Sequence, residues 1–467
     1  MEVTVRELLA PSLYGDLEPL MNDTRSVQLT HVAEAMKIFP PNGFPPTEPP
    51  SYGFVTQGAI ALVEIQRPNV NRSFCIAISA VDFPASRPST WSGALDQAAA
   101  GSMPGDMISP APASERPKRL IMVATGNVAG GTKSDVLPCS PIEDPAQSWN
   151  ALTIGGFIRK EQPPAPPPPT SIFLRSARRP NPGRRSTYRR GIIVQTTGTG
   201  SPVVAANNRS PFSRGSQSLP DDLTPIKPEL LFEAGNMLSD ATESCAWEPS
   251  VSLLSTGSDV VTEPLVPFWA TSAAVGVAGY FMGRLQASFP SLWPETYRAL
   301  AVNSASWPRP IRKRLVGRGA HWKAKSKADL QQIIREVGYG VPNVERAIMS
   351  ARNDVTLIAQ AEIQPFSNGD GKGGVFNELH FYSLHWPKTA LEQLESEIVV
   401  MKVTLSYFIE PNLTGRAATR PDTYRSFGLR FSIKKRRETE KDFRSRRTIE
   451  RTRRARWRSE PRVSRRR

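Results

Sequence analysis

The 467-residue chain carries 59 Lys and Arg against 43 Asp and Glu, a formal net charge of +16, with 39% hydrophobic residues. That length allows two or three domains and a sizeable core, while 44 prolines argue against a helical bundle or coiled coil. Three cysteines (Cys75, Cys139, Cys245) without CxxC spacing exclude a disulfide scaffold and a thiolate zinc site, and four histidines leave little for a histidine metal cluster.

In chain order, residues 1–25 lack the basic start and apolar run of a secretory signal. Ala59 to Ile65 reads as an apolar helix segment, Phe74 to Ser79 as a buried strand, and Trp91 to Ala100 as a helix. Leu120 to Ala124, Leu152 to Ile154 and Glu229 to Phe232 are short apolar strands. Between them, Pro163 to Pro169 is polyproline-like and opens a stretch rich in Pro and Arg. It reads as an insertion over about 160–205, with a net charge of +8 from Arg159 to Arg190. Ser272 to Ala287 and Glu295 to Ala305 are successive helices. The apolar run Pro267 to Gly283 spans 17 residues, contains three glycines and stops at Arg284, so it reads as a buried helix and not a membrane span.

Past about 350 the pattern changes. Asp354 to Ala359, Glu397 to Phe408 and Gly428 to Ile433 are strand-like, which predicts a smaller β-rich domain over 347–440, followed by a basic tail over 441–467. Lys434 to Arg467 carries a net +12, so the rest of the chain, without the two basic segments, has a net −4. The charge is local, and it argues against a nucleic-acid partner for the body of the protein. Strands interleaved with helices before 346 predict an α/β domain with a largely parallel, buried sheet.

Several short motifs bear on chemistry. Ala124-Thr125-Gly126-Asn127 ends a strand. An Asn there can turn its amide on a developing negative charge, although Gly-Asn is also a common turn. Asn150 to Gly156, Ser210 to Gly215, Ile226 to Leu231 and Ala270-Thr271-Ser272-Ala273-Ala274 follow. Ser272 opens the apolar helix, a position where serine serves either as a nucleophile near the positive helix end or as an ordinary small residue.

In this order the motifs resemble the subtilisin-like serine peptidases, the S8 subtilase family. Its successive blocks are a Gly-Asn loop, an Ala-Leu-Thr-Val-Gly strand, a Phe-Ser turn, a Lys-Pro-Asp strand and a Gly-Thr-Ser-x-Ala helix start. Arg298 to Leu300 with Asn303 to Ala305, and Gly338 to Pro342, are similar to the next helix and its closing turn. The resemblance covers about 12–346 and implies a subtilisin-like parallel sheet with flanking helices. It implies Ser272 as nucleophile, Asn127 as oxyanion donor, and Ala124-Thr125-Gly126 and Ser79-Ala80-Val81 as the walls of a groove for an extended polypeptide substrate. The C-terminal stretch is similar to a bacterial branch whose members can be encoded beside an AAA-type ATPase, which implies such a partner and a cytoplasmic location. No metal or cofactor is implied.

The chain departs from the family at three places. The family's Asp block and its Gly-His-Gly-Thr helix start have no counterpart. The residues before Leu13-Tyr14-Gly15-Asp16-Leu17 hold no His, and His31, His321, His380 and His385 match no family position. The chain is therefore expected to begin after both residues and to be impaired in catalysis. Ala270 replaces the family's Gly, and Gly276 stands where many members have Pro. The alternatives are a catalytically inactive peptide- or partner-binding protein and nucleic-acid binding through the Arg-rich tail.

Overall fold

The computed structural model describes residues 5–17, 32–36, 47–81, 88–103, 116–160, 200–218, 225–259, 261–316, 326–352, 356–364, 366–368, 374–384, 387–395, 397, 399–409, 429, 431–435 and 437–446. The proline-arginine stretch from 161 to 199, the tail past 446, and His31, His321 and His385 lie outside them.

Helix α1 (Val5–Tyr14) is followed by α2 (Tyr52–Gln66), strand β1 (Ser73–Ile76), α3 (Thr90–Ala99), β2 (Leu120–Ala124), β3 (Leu152–Phe157), β4 (Leu230–Glu233), α4 (Ala270–Ser288) and α5 (Pro294–Ser304). The four strands form one parallel sheet in the order β1-β2-β3-β4. This is the predicted α/β arrangement. Every residue of β2, β3 and β4 is buried, as continuous apolar runs require when helices cover both faces.

Strand alternation sorts these residues between two cores. Leu120, Met122, Leu152, Ile154, Leu230 and Phe232 face α4 and α5 through Ala274, Ala278, Met282 and Leu300. Ile121 and Val123 face α2 and α3 through Ile60, Trp91, Leu95 and Ala98. Ser89 caps α3 by accepting from the Trp91 and Ser92 N–H groups. A second four-stranded sheet of strands two to four residues long (131–132, 244–247, 237–239, 201–202) stands beside the N-terminal end of α4.

The run from 267 to 283 is mostly this buried helix, and no helix among the described residues is long and apolar enough to cross a membrane. Its small residues let neighbours approach closely. A Cβ at Gly279 would lie 2.9 Å from Cys75 Sγ, and one at Gly276 would lie 2.8 Å from Pro11 Cβ. Gly276 therefore leaves no room for the Pro seen in many relatives while α1 packs here. Gly276→Ala is expected to cost about 1–3 kcal/mol through this overlap, read as a lower denaturant midpoint with faster amide exchange in α1.

The three C-terminal stretches read as strands differ from the structure where it describes them. Among the described residues past 352, the strands are a hairpin of 366–368 with 374–376, and none falls in the three stretches read as strands. Residues 399–409 instead run without a ladder along the α/β body. The Asn150 amide donates to Ile409 O (2.8 Å) and accepts from Ile409 N (2.7 Å), Asn303 Nδ2 donates to Thr404 Oγ1, and Lys402 Nζ donates to Ala305 O beyond the end of α5. Alternating apolar residues are equally compatible with a strand and with an extended strap pinned by side chains.

Candidate active site

The carboxyl ends of β1, β2 and β4 and the amino end of α4 meet at one edge of the sheet, where open α/β folds place their sites. Ala270 N, at the start of α4, donates to Ala234 O just past β4. Thr271 N (2.9 Å) and Thr271 Oγ1 (2.6 Å) both donate to Asn127 Oδ1, three residues past β2. Ser272 is 3% exposed, and its hydroxyl donates to Ala77 O, just past β1, at 2.9 Å. The structure thus places Asn127 against Thr271, the residue directly before Ser272.

Two bonds to its oxygen fix the planar Asn127 amide, so the Nδ2 group points away from Thr271. Among the described residues that Nδ2 has no protein acceptor. The Ser272 N–H lies in the first helical turn, where N–H groups lack intrahelical carbonyls and the helix dipole is positive. A half-buried amide and a helix amino end at one point form a cradle for negative charge.

Ala270 has φ +66°, the left-handed region that favours glycine. The turn into α4 thus keeps the backbone conformation that the family's Gly would supply, at a cost of about 1–2 kcal/mol for a residue with a Cβ. Trp269, just before it, stacks on Trp247 with centroids 3.9 Å apart.

The predicted groove walls are also adjacent, bridged by the segment Pro141 to Asp144. Glu143 N donates to Thr125 O, and Ala80 and Asp144 exchange N–H···O bonds (2.9 and 3.3 Å). Val81 is 73% exposed, at the open end of its wall. The Phe212-Ser213 motif holds the Asn127 loop against β3, since Val128 N donates to Phe212 O and Gly156 N to Ser213 Oγ. Three groups escaped the sequence reading: Thr271 as the partner of Asn127, the Glu143–Arg214 ion pair (2.8 Å), and Asp144 beneath Ser89 and Ser92. Only the Asp144-Pro145 dipeptide and the Ser89 cap carried a local sign of the last.

Burial pushes Asp144 up to about 6, against the lowering effect of the Ser89 and Ser92 hydroxyls. Between about pH 4 and 6 an unfolded Asp releases a proton that the folded chain retains, so stability falls as pH rises through that window. Asp144→Asn keeps an oxygen for both serines and is expected to add about 1–3 kcal/mol above pH 7 while leaving stability at pH 4 nearly unchanged. Denaturant titrations at the two pH values measure this.

Among the described residues no histidine stands at Ser272. His380 pairs instead with Glu378 at 3.5 Å. Burial pushes the Cys75 and Cys139 thiols up to about 12 and 11, so neither supplies a thiolate at neutral pH. No group of three or more His, Cys, Asp or Glu placed to hold a metal ion occurs among the described residues.

The fold is thus of the α/β class, with Ser272 at a helix amino end and the Asn127 side chain bound to the residue before it. The profile of the subtilase family, peptidase S8, matches residues 19–340. The chain belongs to the subtilase family, a family of serine peptidases. A Sinorhizobium fredii (strain NBRC 101917 / NGR234) protein described as uncharacterized protein y4bN is 28% identical over 167 residues, 35% of this chain and 36% of the relative. The chain thus matches that relative over about a third of its length.

Proposed function

We propose that the protein acts as a subtilisin-type serine endopeptidase, with Ser272 as nucleophile and with the Asn127 amide and Ser272 N–H as oxyanion donors. The observation that supports this reading is the pair of Thr271 bonds to Asn127 Oδ1, which fix the amide beside the amino end of α4 and leave its Nδ2 without a protein acceptor among the described residues. Attack of Ser272 Oγ on a peptide carbonyl forms a C–O bond and places negative charge on the carbonyl oxygen, which those donors stabilise. The hydroxyl proton must leave at the same time. Ala77 O orients it but does not take it.

The helix that bears the family's His resembles α1. Leu8 and Pro11 lie over Gly276, Ser12 over Gly279, and Gly15 beside Tyr280, so α1 runs parallel to α4 with its start toward the Ser272 end. Residues 5–17 hold no histidine, so among the described residues α1 brings no general base to Ser272. The same observation favours a second reading, a subtilase-like protein that holds extended peptides without cleaving them. A fluorophosphonate probe separates the two. Labelling of the wild type, absent in Ser272→Ala, supports the peptidase, and equal absence in both supports the binding protein.

A further inference from the structure

We infer that Glu143, held by Arg214, sets the specificity of the groove by restricting the residue that supplies the scissile carbonyl to small, uncharged side chains. This rests on the proteolytic reading of the site. Glu143 Oε2 accepts from Ser79 Oγ on one wall at 2.5 Å, and Oε1 pairs with Arg214 Nη2 at 2.8 Å. The side chain then lies along Gly126 on the other wall. A Cβ at Gly126 would fall 2.2 Å from Glu143 Oε2 and 2.7 Å from Glu143 Cβ, and the φ of Gly126 is +88°. Arg214 also donates through Nε to Asn127 O (3.0 Å) and through Nη1 to Pro141 O (3.1 Å), so the pair is anchored to the oxyanion loop itself.

The position of this bar decides what it does. Gly126 directly precedes Asn127, and Ser79 lies two residues past Ala77, whose carbonyl receives the Ser272 hydroxyl. A carbonyl seated between Ser272 and Asn127 therefore directs its own residue's side chain toward the bar. The space there is taken, with Glu143 only 10% and Arg214 21% exposed. A large side chain would have to break an ion pair that is mostly out of water, which leaves a poorly solvated charge. The Glu143–Arg214 pair carries no net charge, so a charged side chain of either sign gains no net attraction there.

Fluorescent tripeptide boronic acids ending in alanine, phenylalanine or lysine, titrated by anisotropy against the full chain, test this. The alanine compound is expected to bind the wild type about tenfold or more tightly than the other two, the scale of a single steric misfit in a pocket. Glu143→Ala is expected to erase or reverse the alanine-over-phenylalanine preference. Glu143→Gln, of equal size and still able to accept from Ser79, is expected to keep it. A wild type that prefers phenylalanine or lysine overturns the proposal whether or not the variants fold, and so does an unchanged preference in a folded Glu143→Ala. Binding that Ser272→Ala abolishes but that shows no preference defeats this assignment alone. Absence of all boronate binding defeats the proteolytic reading, and the specificity with it.

Discussion

Asn127→Ala is expected to slow phosphonylation of Ser272 by about 10²–10³-fold, the loss found in subtilisin when its oxyanion asparagine is removed. The substitution leaves the surrounding loop in place, because the loop is held by backbone. Val128 N bonds to Phe212 O, and Arg214 Nε bonds to Asn127 O. What is lost is the amide held by Thr271, which the proposed mechanism assigns to the charge that develops on the reacting oxygen. Binding of an uncharged peptide should therefore change little while the rate of covalent modification falls. Thr271→Val, which removes the 2.6 Å hydroxyl bond to Oδ1 but leaves the backbone bond, should cause a smaller loss of the same kind. Rate constants for probe incorporation into the three proteins, with peptide affinity measured in parallel, check both statements.

Glu229→Ala is expected to destabilise the fold by about 3–5 kcal/mol, the cost of stranding a buried charge. Lys227 is fully buried, and its ammonium meets Glu229 Oε1 at 2.5 Å and Ala151 O at 2.7 Å. Glu229 Oε2 accepts from Thr153 N at 2.7 Å, tying β4 to β3, and Arg298 of α5 reaches Oε1 at 3.4 Å. Burial lowers the Lys227 pKa, against the raising effect of Glu229, so removal of Glu229 leaves the burial cost uncompensated. Lys227→Met combined with Glu229→Leu should recover most of the loss, since an apolar pair of similar volume has no charge to desolvate. Denaturant midpoints of the single and double variants measure the difference. The Lys-Pro-Glu motif, read in the sequence as a family block, is thus a structural cross-brace behind the site.

How much of this was legible depended on where each signal was stored. The fully buried strands were visible as apolar runs, because a sheet covered on both faces needs no polar alternation. Ser272 and Asn127 were visible because the family's blocks surround them in order. Helix α1 was hidden, since Pro11 lies inside it and a proline in a helix argues locally against one. The strands of the second sheet, two to four residues long, carry no usable period. The extended strap over 399–409 imitates a strand because the alternation is the same and only its partners differ. Glu143, Ser79 and Arg214 are separated by 64 and 71 residues, and nothing local in the sequence marks them as neighbours. The glycine at 126 became informative only once the side chain lying on it was known.

Ser272 and Asn127, on the proposed mechanism, form one reactive site at the amino end of α4. A crystal structure of the fluorophosphonate-treated protein tests it most directly. The expected result is a phosphorus–oxygen bond to Ser272 Oγ, with a phosphonyl oxygen about 2.7–3.1 Å from both Asn127 Nδ2 and Ser272 N. An adduct on another residue, or one on Ser272 whose oxygen turns away from Asn127, would contradict it.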